Sequence, residues 1–246
     1  MNIFYTPDIE HSSFLSPEES GHCVRVLRLQ LGDEIRLCDG RGNFYRAIIA
    51  DANAKRCAFE VKEVLPQAPL LPQISVAVAP TKNMDRMEWL VEKLTEAGVD
   101  AIYFLQTRYS ERKALNTERL QKIAVSAMKQ SQRATLPLIG ELAPFKEFVK
   151  TQRQTHRFIC HCYGQEEAGA REFIGKVDLQ GQDALVMIGP EGDFSLEEVR
   201  LAKTLGFKTL SLGPMRLRTE TAAMLAGMML RMQTIQTETT APADAK

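Results

Sequence analysis

The sequence predicts an α/β chain in two unequal parts. A small β-barrel or β-rich module spans residues 1–69, and an α/β domain with a mainly parallel sheet spans residues 70–234. Three observations carry this prediction. Residues 1–69 show short apolar alternation broken by turn signals, as strands do. Pro66, Pro69 and Pro72 then fall within seven residues, which suits an extended linker. Beyond them, strand patterns alternate with helix patterns, the signature of a parallel sheet covered by helices. With 246 residues, 44% hydrophobic and 25% charged, the chain is globular and long enough for one large domain or two smaller ones.

Each element has its own local reason. Glu34 to Cys38 and Phe44 to Ile49 flank Asp39-Gly40-Arg41-Gly42-Asn43, a hairpin signal. Cys57 to Val61 repeats the alternation, and Leu65 to Pro72 is the linker. Ile74 to Ala79 reads as a strand ending at Pro80. Met87, Leu90, Leu94 and Ala97 share a helical face that Gly98 terminates. Ala101 to Leu105 is the next strand. Asn116 or Thr117 caps a helix carrying Leu120, Ile123, Ala124, Ala127 and Met128, closed before Pro137. Arg157 to Cys162 and Ala184 to Ile188 are further strands, and Ser195-Leu196-Glu197-Glu198 is a capping box opening a helix that ends near Gly206. Leu210 to Leu212 is a last strand before a turn and a helix start. Residues 235–246 are small and polar and read as a disordered tail.

Composition excludes several function classes. The longest apolar run, Ala222 to Leu230, has nine residues and contains a glycine, too short for a membrane span of about 18 residues. The first residues carry no basic segment followed by an apolar one, so the expectation is a cytoplasmic protein without a secretory signal. Five cysteines without a C-x-x-C spacing are expected as thiols. Cys160-His161-Cys162 has no second Cys/His cluster to complete four ligands, and no metal site is expected. Lys+Arg and Asp+Glu both number 31, which argues against holding a polyanion by bulk attraction. The cations are nonetheless uneven, with seven against two acids between Gln106 and Arg133. That stretch reads equally as a solvated helix face or as a phosphate-backbone contact.

The familiar nucleotide motifs fail. Gly40-Arg41-Gly42 lies in a hairpin and lacks the third glycine of a dinucleotide fingerprint, and Gly164 to Gly169 is followed by Ala170-Arg171 instead of Lys-Ser/Thr. Two other glycine loops are informative. Ile188-Gly189-Pro190-Glu191-Gly192-Asp193 leaves an apolar strand and runs into the capping box. Leu212-Gly213-Pro214-Met215-Arg216-Leu217-Arg218-Thr219-Glu220 leaves another and runs into a helix. Two such strand-end turns in one α/β sheet are the usual place for a ligand crevice.

These residues resemble a known family. Ile-Gly-Pro-Glu-Gly at 188–192, Leu-Gly at 212–213 and Leu-Arg-Thr-Glu-Thr-Ala at 217–222 are similar to the SPOUT-class methyltransferases that modify N3 of a uridine in 16S ribosomal RNA of the small subunit. His22 to Leu29 with Gly32-Asp33 looks like that family's N-terminal signature within a PUA-like RNA-binding barrel, and 82–92 and 130–137 also fit. The resemblance covers nearly the whole chain in order. It departs at Asp193, where the family often has a second glycine, at Met215, where a basic residue is common, and at Lys129, where a Glu usually precedes the Gln.

The resemblance implies a trefoil-knotted domain, S-adenosylmethionine as cofactor, 16S ribosomal RNA as partner and a homodimer. By the same analogy Ile188, Gly189, Pro190, Glu191, Gly192, Leu212, Gly213, Arg216, Leu217 and Thr219 border the cofactor. Methylation at N3 requires the N3 proton to leave while negative charge on the base is stabilised, which a guanidinium aimed at a uracil oxygen would do. Arg218 is the first candidate, with a salt bridge to Glu220 or Glu191 as the competing reading. Glu220 or Glu191 is the candidate acid-base partner, although Glu220 would also suit a helix N-terminus capped by Thr219. His22, Arg25, Arg28, Arg112, Lys129 and Arg133 are the candidate RNA contacts. Met224, Met228 and Met232 form a helical stripe that reads as packing surface, and the resemblance makes it a dimer seam. Two other functions compete: an RNA-binding factor without catalysis, and a SPOUT methyltransferase acting on another nucleotide.

Overall fold

A computed structural model describes residues 2–239. The described residues form two compact units, 2–69 with 125–136, and 70–124 with 137–239.

In the first unit, β1 (Ile3–Tyr5), β2 (Glu34–Cys38), β3 (Asn43–Asp51) and β4 (Ala58–Pro66) make a four-stranded sheet in chain order. β1 runs parallel to β2, and the other neighbours are antiparallel. α1 (Pro17–Gly21) begins at Ser16, whose hydroxyl accepts from the Glu19 N–H, and a π-helical turn at His22–Val26 follows. Phe4, Leu15, Ile35, Leu37, Ile49 and Phe59 fill the core of this unit. The β2–β3 hairpin closes around Asp39, whose carboxylate accepts from Arg41 N–H at 2.7 Å, Asn43 N–H at 3.1 Å, Asn43 Nδ2 at 2.7 Å and Tyr45 Oη at 3.2 Å. Gly40 there has φ +74°, and a Cβ on it would lie 2.9 Å from the Tyr5 ring, so the turn admits only glycine.

Two features of this unit differ from the sequence reading. β4 continues through Leu65 and Pro66, residues read as linker, because Leu65 packs with Cys38 and Phe44. Pro66 is the last strand residue, where its missing N–H costs least. The unit also takes in residues 125–136, which the sequence assigns to the larger domain. Met128 and Ala134 are buried against Cys38 and Phe44, and Gln67 Oε1 accepts from Ala134 N–H at 2.7 Å.

The second unit is a seven-stranded parallel sheet. Its strands are β5 (Ile74–Val78), β6 (Ala101–Gln106), β7 (Leu138–Pro144), β8 (His156–Cys160), β9 (Glu172–Phe173), β10 (Ala184–Ile188) and β11 (Lys208–Ser211). Their order is β7-β6-β5-β10-β8-β11-β9. β10, every residue buried, therefore lies between β5 and β8. The helices are α2 (Met84–Glu96), the first half of α3 (Thr117–Gln130), whose residues from 125 on belong to the first unit, α4 (Phe145–Thr151), the single turn α5 (Gln165–Ala168), α6 (Leu196–Thr204) and α7 (Thr219–Thr239).

The sheet is covered on both faces. Ala77 shares a core with Phe145 and Phe148 of α4 and Val199 and Ala202 of α6. The preceding residue, Val76, points the other way, as strand alternation requires. There Gly227 of α7 comes so close that a Cβ would lie 2.8 Å from Leu94 and 3.0 Å from Val76. Arg231 of α7, 2% exposed, pairs with Asp100 and donates to the Pro72 carbonyl at 2.9 Å.

Two of the predicted caps form: Asn116 accepts from Arg119 N–H at 3.1 Å, and Ser195 and Glu198 bond each other reciprocally. Asn83, a cap the sequence reading did not name, accepts from Asp85 N–H at 2.9 Å. α7 starts at Thr219 itself, so Thr219 is the first helical residue and not its cap, and the Arg218 carbonyl accepts from Ala222 N–H. α7 also runs on to Thr239 through residues read as tail; the remainder of that tail lies outside the described residues. β7 and α4 went unread in the sequence, because β7 is half-exposed along its length and carries no apolar run.

Candidate functional site

The carboxyl ends of β8, β10 and β11 open onto a cavity of about 400 Å³, within the range of about 300–1,000 Å³ usual for small-molecule sites. Cys160 ends β8 and His161 and Cys162 follow it, Ile188 ends β10 and Gly189 to Glu191 and Asp193 follow it, and Leu210 to Ala222 supply most of the remaining wall. Arg86 of α2 and Arg171 complete it.

The first loop is tightly wound. A Cβ on Gly189 would lie 2.9 Å from the Phe194 nitrogen and 3.0 Å from the Asp193 carbonyl carbon, so the strand leaves β10 through a space that admits only hydrogen. Asp193 has φ +65°, a conformation that favours glycine but that Asp and Asn also visit. Its carboxylate makes the conformation productive: Oδ1 accepts from Phe194 N–H and Oδ2 from Cys162 N–H, both at 2.7 Å. Tyr163 Oη donates to the Phe194 carbonyl at 2.8 Å, a second tie between this loop and the end of β8. The Asp193 departure thus keeps the glycine-like backbone and adds two bonds.

The charged residues are arranged asymmetrically. Glu220, in the first turn of α7, is 7% exposed; Oε1 lies 3.6 Å from Arg86 Nε, and Oε2 is buried without a hydrogen-bond partner. Arg218 is exposed and lines the same cavity, and its guanidinium has no hydrogen bond or ion pair among the described residues. The competing reading of Arg218 as a structural ion pair with Glu220 or Glu191 therefore does not describe this chain. Glu191 Oε1 accepts from the Lys82 N–H at 3.2 Å. His161 is 4% exposed, and neither ring nitrogen has a hydrogen-bond partner among the described residues. Burial holds its pKa below the ordinary imidazole value; nearby Asp193 opposes that shift, while Arg171 and Lys203 add to it.

Most of the predicted site converges. Ile188, Gly189, Pro190, Glu191, Leu212, Gly213, Arg216, Leu217, Arg218, Thr219 and Glu220 all line the cavity. Gly192 does not; it faces Tyr109, where a Cβ would lie 3.1 Å from the tyrosine Cβ. Sequence reasoning missed Arg86, His161 and Arg171 as cavity walls, because none of them lies in the two glycine loops after β10 and β11. Only the odd Cys-His-Cys triplet marked one of them.

The predicted RNA contacts divide. His22, Arg25 and Arg28 are exposed on the π-helical turn and the residues after it. Lys129 is held by Glu19 at 2.6 Å, Arg133 is 8% exposed, and Arg112 donates to the Thr81 and Lys82 carbonyls. Of the other cations in that basic stretch, Arg119 pairs with Glu88 and Arg108 with Glu197. The local excess is therefore spent mainly on internal partners.

Comparisons with known proteins agree with this architecture. Residues 67–231 match a family model described as an RNA methyltransferase domain, and residues 15–62 match one described as an RNA methyltransferase PUA domain. Ribosomal RNA small subunit methyltransferase E of Rickettsia conorii is 30% identical over 222 residues, covering 89% of this chain and 88% of that protein. The crystal structure of a probable rRNA-methyltransferase from Porphyromonas gingivalis is similar at 42% identity and TM-score 0.90, over 96% of this chain and 100% of that one. A Legionella pneumophila methyltransferase, solved in complex with the cofactor SAM, is similar at 30% identity and TM-score 0.81, over 94% of this chain and 96% of that one.

Proposed function

The chain belongs to the RNA methyltransferase family that includes ribosomal RNA small subunit methyltransferase E, and from that premise we propose that it methylates N3 of one uridine in 16S ribosomal RNA. It is an S-adenosylmethionine-dependent enzyme acting on ribosomal RNA of the small subunit. The observation that carries the finer reading is the cavity at the ends of β8, β10 and β11, with a guanidinium unpaired among the described residues and a buried, half-satisfied carboxylate two residues apart at Arg218 and Glu220.

The residues present fit the cofactor. Buried polar groups left unpaired by the protein, His161 and Glu220 Oε2, are what a polar ligand would satisfy. The backbone of Ile188 to Glu191 and of Leu212 to Leu217 would hold it. Bound there, S-adenosylmethionine supplies an electrophilic methyl group on a sulfonium. Arg218 stabilises negative charge on a uracil oxygen as the base gives up its N3 proton. Glu220 accepts that proton, held in place by Arg86. His22, Arg25 and Arg28 seat the RNA through the exposed face of the first unit. Phosphate contacts of this kind position RNA without a global excess of positive charge.

Two further features belong to this reading. The first is a trefoil-knotted crossing of the loops after β10 and β11, supported by the insertion of β10 between β5 and β8. The second is a homodimer using α7, where Met228, Met232 and Ile235 are 39%, 55% and 51% exposed. An enzyme of this substrate works where ribosomes are assembled, in the cytoplasm. The test is mass mapping of the modified nucleoside after the purified chain reacts with unmodified small subunits. A single 3-methyluridine is expected; methylation of ribose or another base, or no transfer, would overturn the assignment.

A further inference from the structure

His161 is the cavity's most buried polar side chain, and the transfer reaction gives it no task. It follows Cys160 at the carboxyl end of β8, and its ring packs against Tyr163 with centroids 5.8 Å apart. Its carbonyl is taken by the Arg171 side chain, yet Nδ1 and Nε2 are both left without partners. Burial keeps the ring neutral at pH 7, so it offers one donor and one acceptor. Groups buried in this way are normally satisfied, and an exception points to a missing partner.

The chemistry of that partner follows from the other walls. Arg86 and Arg216 complement a carboxylate, and the Glu220 carboxylate complements a cation. A neutral ring complements neither charge, and matches instead an uncharged group that both gives and takes hydrogen bonds. In S-adenosylmethionine such groups lie in the adenosine half. We propose that His161 is a binding residue for the adenosine half of the cofactor, an inference that rests on the reading of the cavity as the S-adenosylmethionine site.

Calorimetric titration of the full chain with S-adenosylmethionine, adenosine and methionine tests this. His161→Phe is expected to lose about tenfold in affinity for both S-adenosylmethionine and adenosine, the scale of one buried hydrogen-bond partner. His161→Asn, which keeps a donor and an acceptor, is expected to recover most of that loss. Thermal unfolding of the ligand-free Phe variant should not fall, since the ring nitrogens bond nothing among the described residues. In wild type, the side-chain ¹⁵N resonances of His161 should move on adding adenosine and stay still on adding methionine, a readout that survives any folding defect of the variants. Unmoved resonances, equal affinities, or a loss for S-adenosylmethionine but not for adenosine would overturn the inference while leaving the cofactor site intact. A wild type that binds no S-adenosylmethionine would overturn the site reading and the inference together.

Discussion

The backbone N–H of Cys162 donates to Oδ2 of Asp193 at 2.7 Å. One carboxylate thereby fastens the loop after β10 to the end of β8, and the two walls of the cavity are set relative to each other by a charge-assisted bond. The same side chain holds its own loop through Phe194.

Asp193→Gly and Asp193→Ala should separate these contributions. Glycine keeps the positive φ and loses the two bonds; alanine loses the bonds and adds backbone strain. Both variants should bind S-adenosylmethionine more weakly than wild type, with Ala about 1 kcal/mol worse than Gly. Calorimetry and thermal unfolding measure the order, and an Ala variant equal to Gly would remove the strain from the account.

Arg218→Ala should leave thermal stability unchanged, because the guanidinium bonds nothing among the described residues, and leave cofactor affinity within about threefold, while turnover falls by about two orders of magnitude or more. Single-turnover methyl transfer to small subunits, beside calorimetry, reads both quantities. A parallel loss of affinity and turnover would move Arg218 from the transition state to cofactor binding.

Gly189→Ala meets backbone atoms of Asp193 and Phe194, which cannot rotate aside as a side chain would. The loop must shift, so cofactor affinity and thermal stability should fall together, stability by about 1–3 kcal/mol. Gly213, where an added Cβ meets nothing within 4 Å, is the control for position; its positive φ alone should cost Ala about 1 kcal/mol.

Asp39 gives the first unit a defined acid response. Burial pushes its carboxyl up, but the bonds from Asn43, the Arg41 backbone and Tyr45 outweigh that and hold it below the ordinary value of 3.8. A depressed carboxyl contributes stability above its unfolded value and loses it as pH falls through the folded one. Urea unfolding should show wild-type stability declining below about pH 4. Asp39→Asn should be about 1–3 kcal/mol less stable at pH 7, with a shallower acid decline.

The legible parts of this chain were those whose signal is local. The hairpin at Asp39, the caps at Asn116 and Ser195 and the all-apolar β10 each announce themselves within a few residues, and both glycine loops belong to strand ends where a crevice is expected. What was not legible depends on distant partners. Lys129 reads as a free cation until Glu19, 110 positions away in sequence, is seen to hold it. Arg86 becomes part of the site only because α2 brings it to Glu220. Gly192 looks like its neighbour Gly189, yet it serves Tyr109 and not the cavity. β7, interrupted by Gly140 and Glu141 and with no residue fully buried, shows no strand alternation to read before its pairing with β6 is known.

The place of β10 in the sheet has a consequence for biosynthesis. Ala184 to Ile188 pair with Ile74 to Val78 on one side and His156 to Cys160 on the other, so both of those strands leave the ribosome well before the segment that joins them. Until residue 188 emerges, the growing polypeptide carries two unsatisfied sheet edges lined with apolar side chains, the kind of surface that invites aggregation. Pairings this distant in sequence also form slowly. Truncations anywhere before residue 188 should therefore accumulate as insoluble chains or as chaperone clients, whereas the first unit lacks only residues 125–136 when β4 is complete.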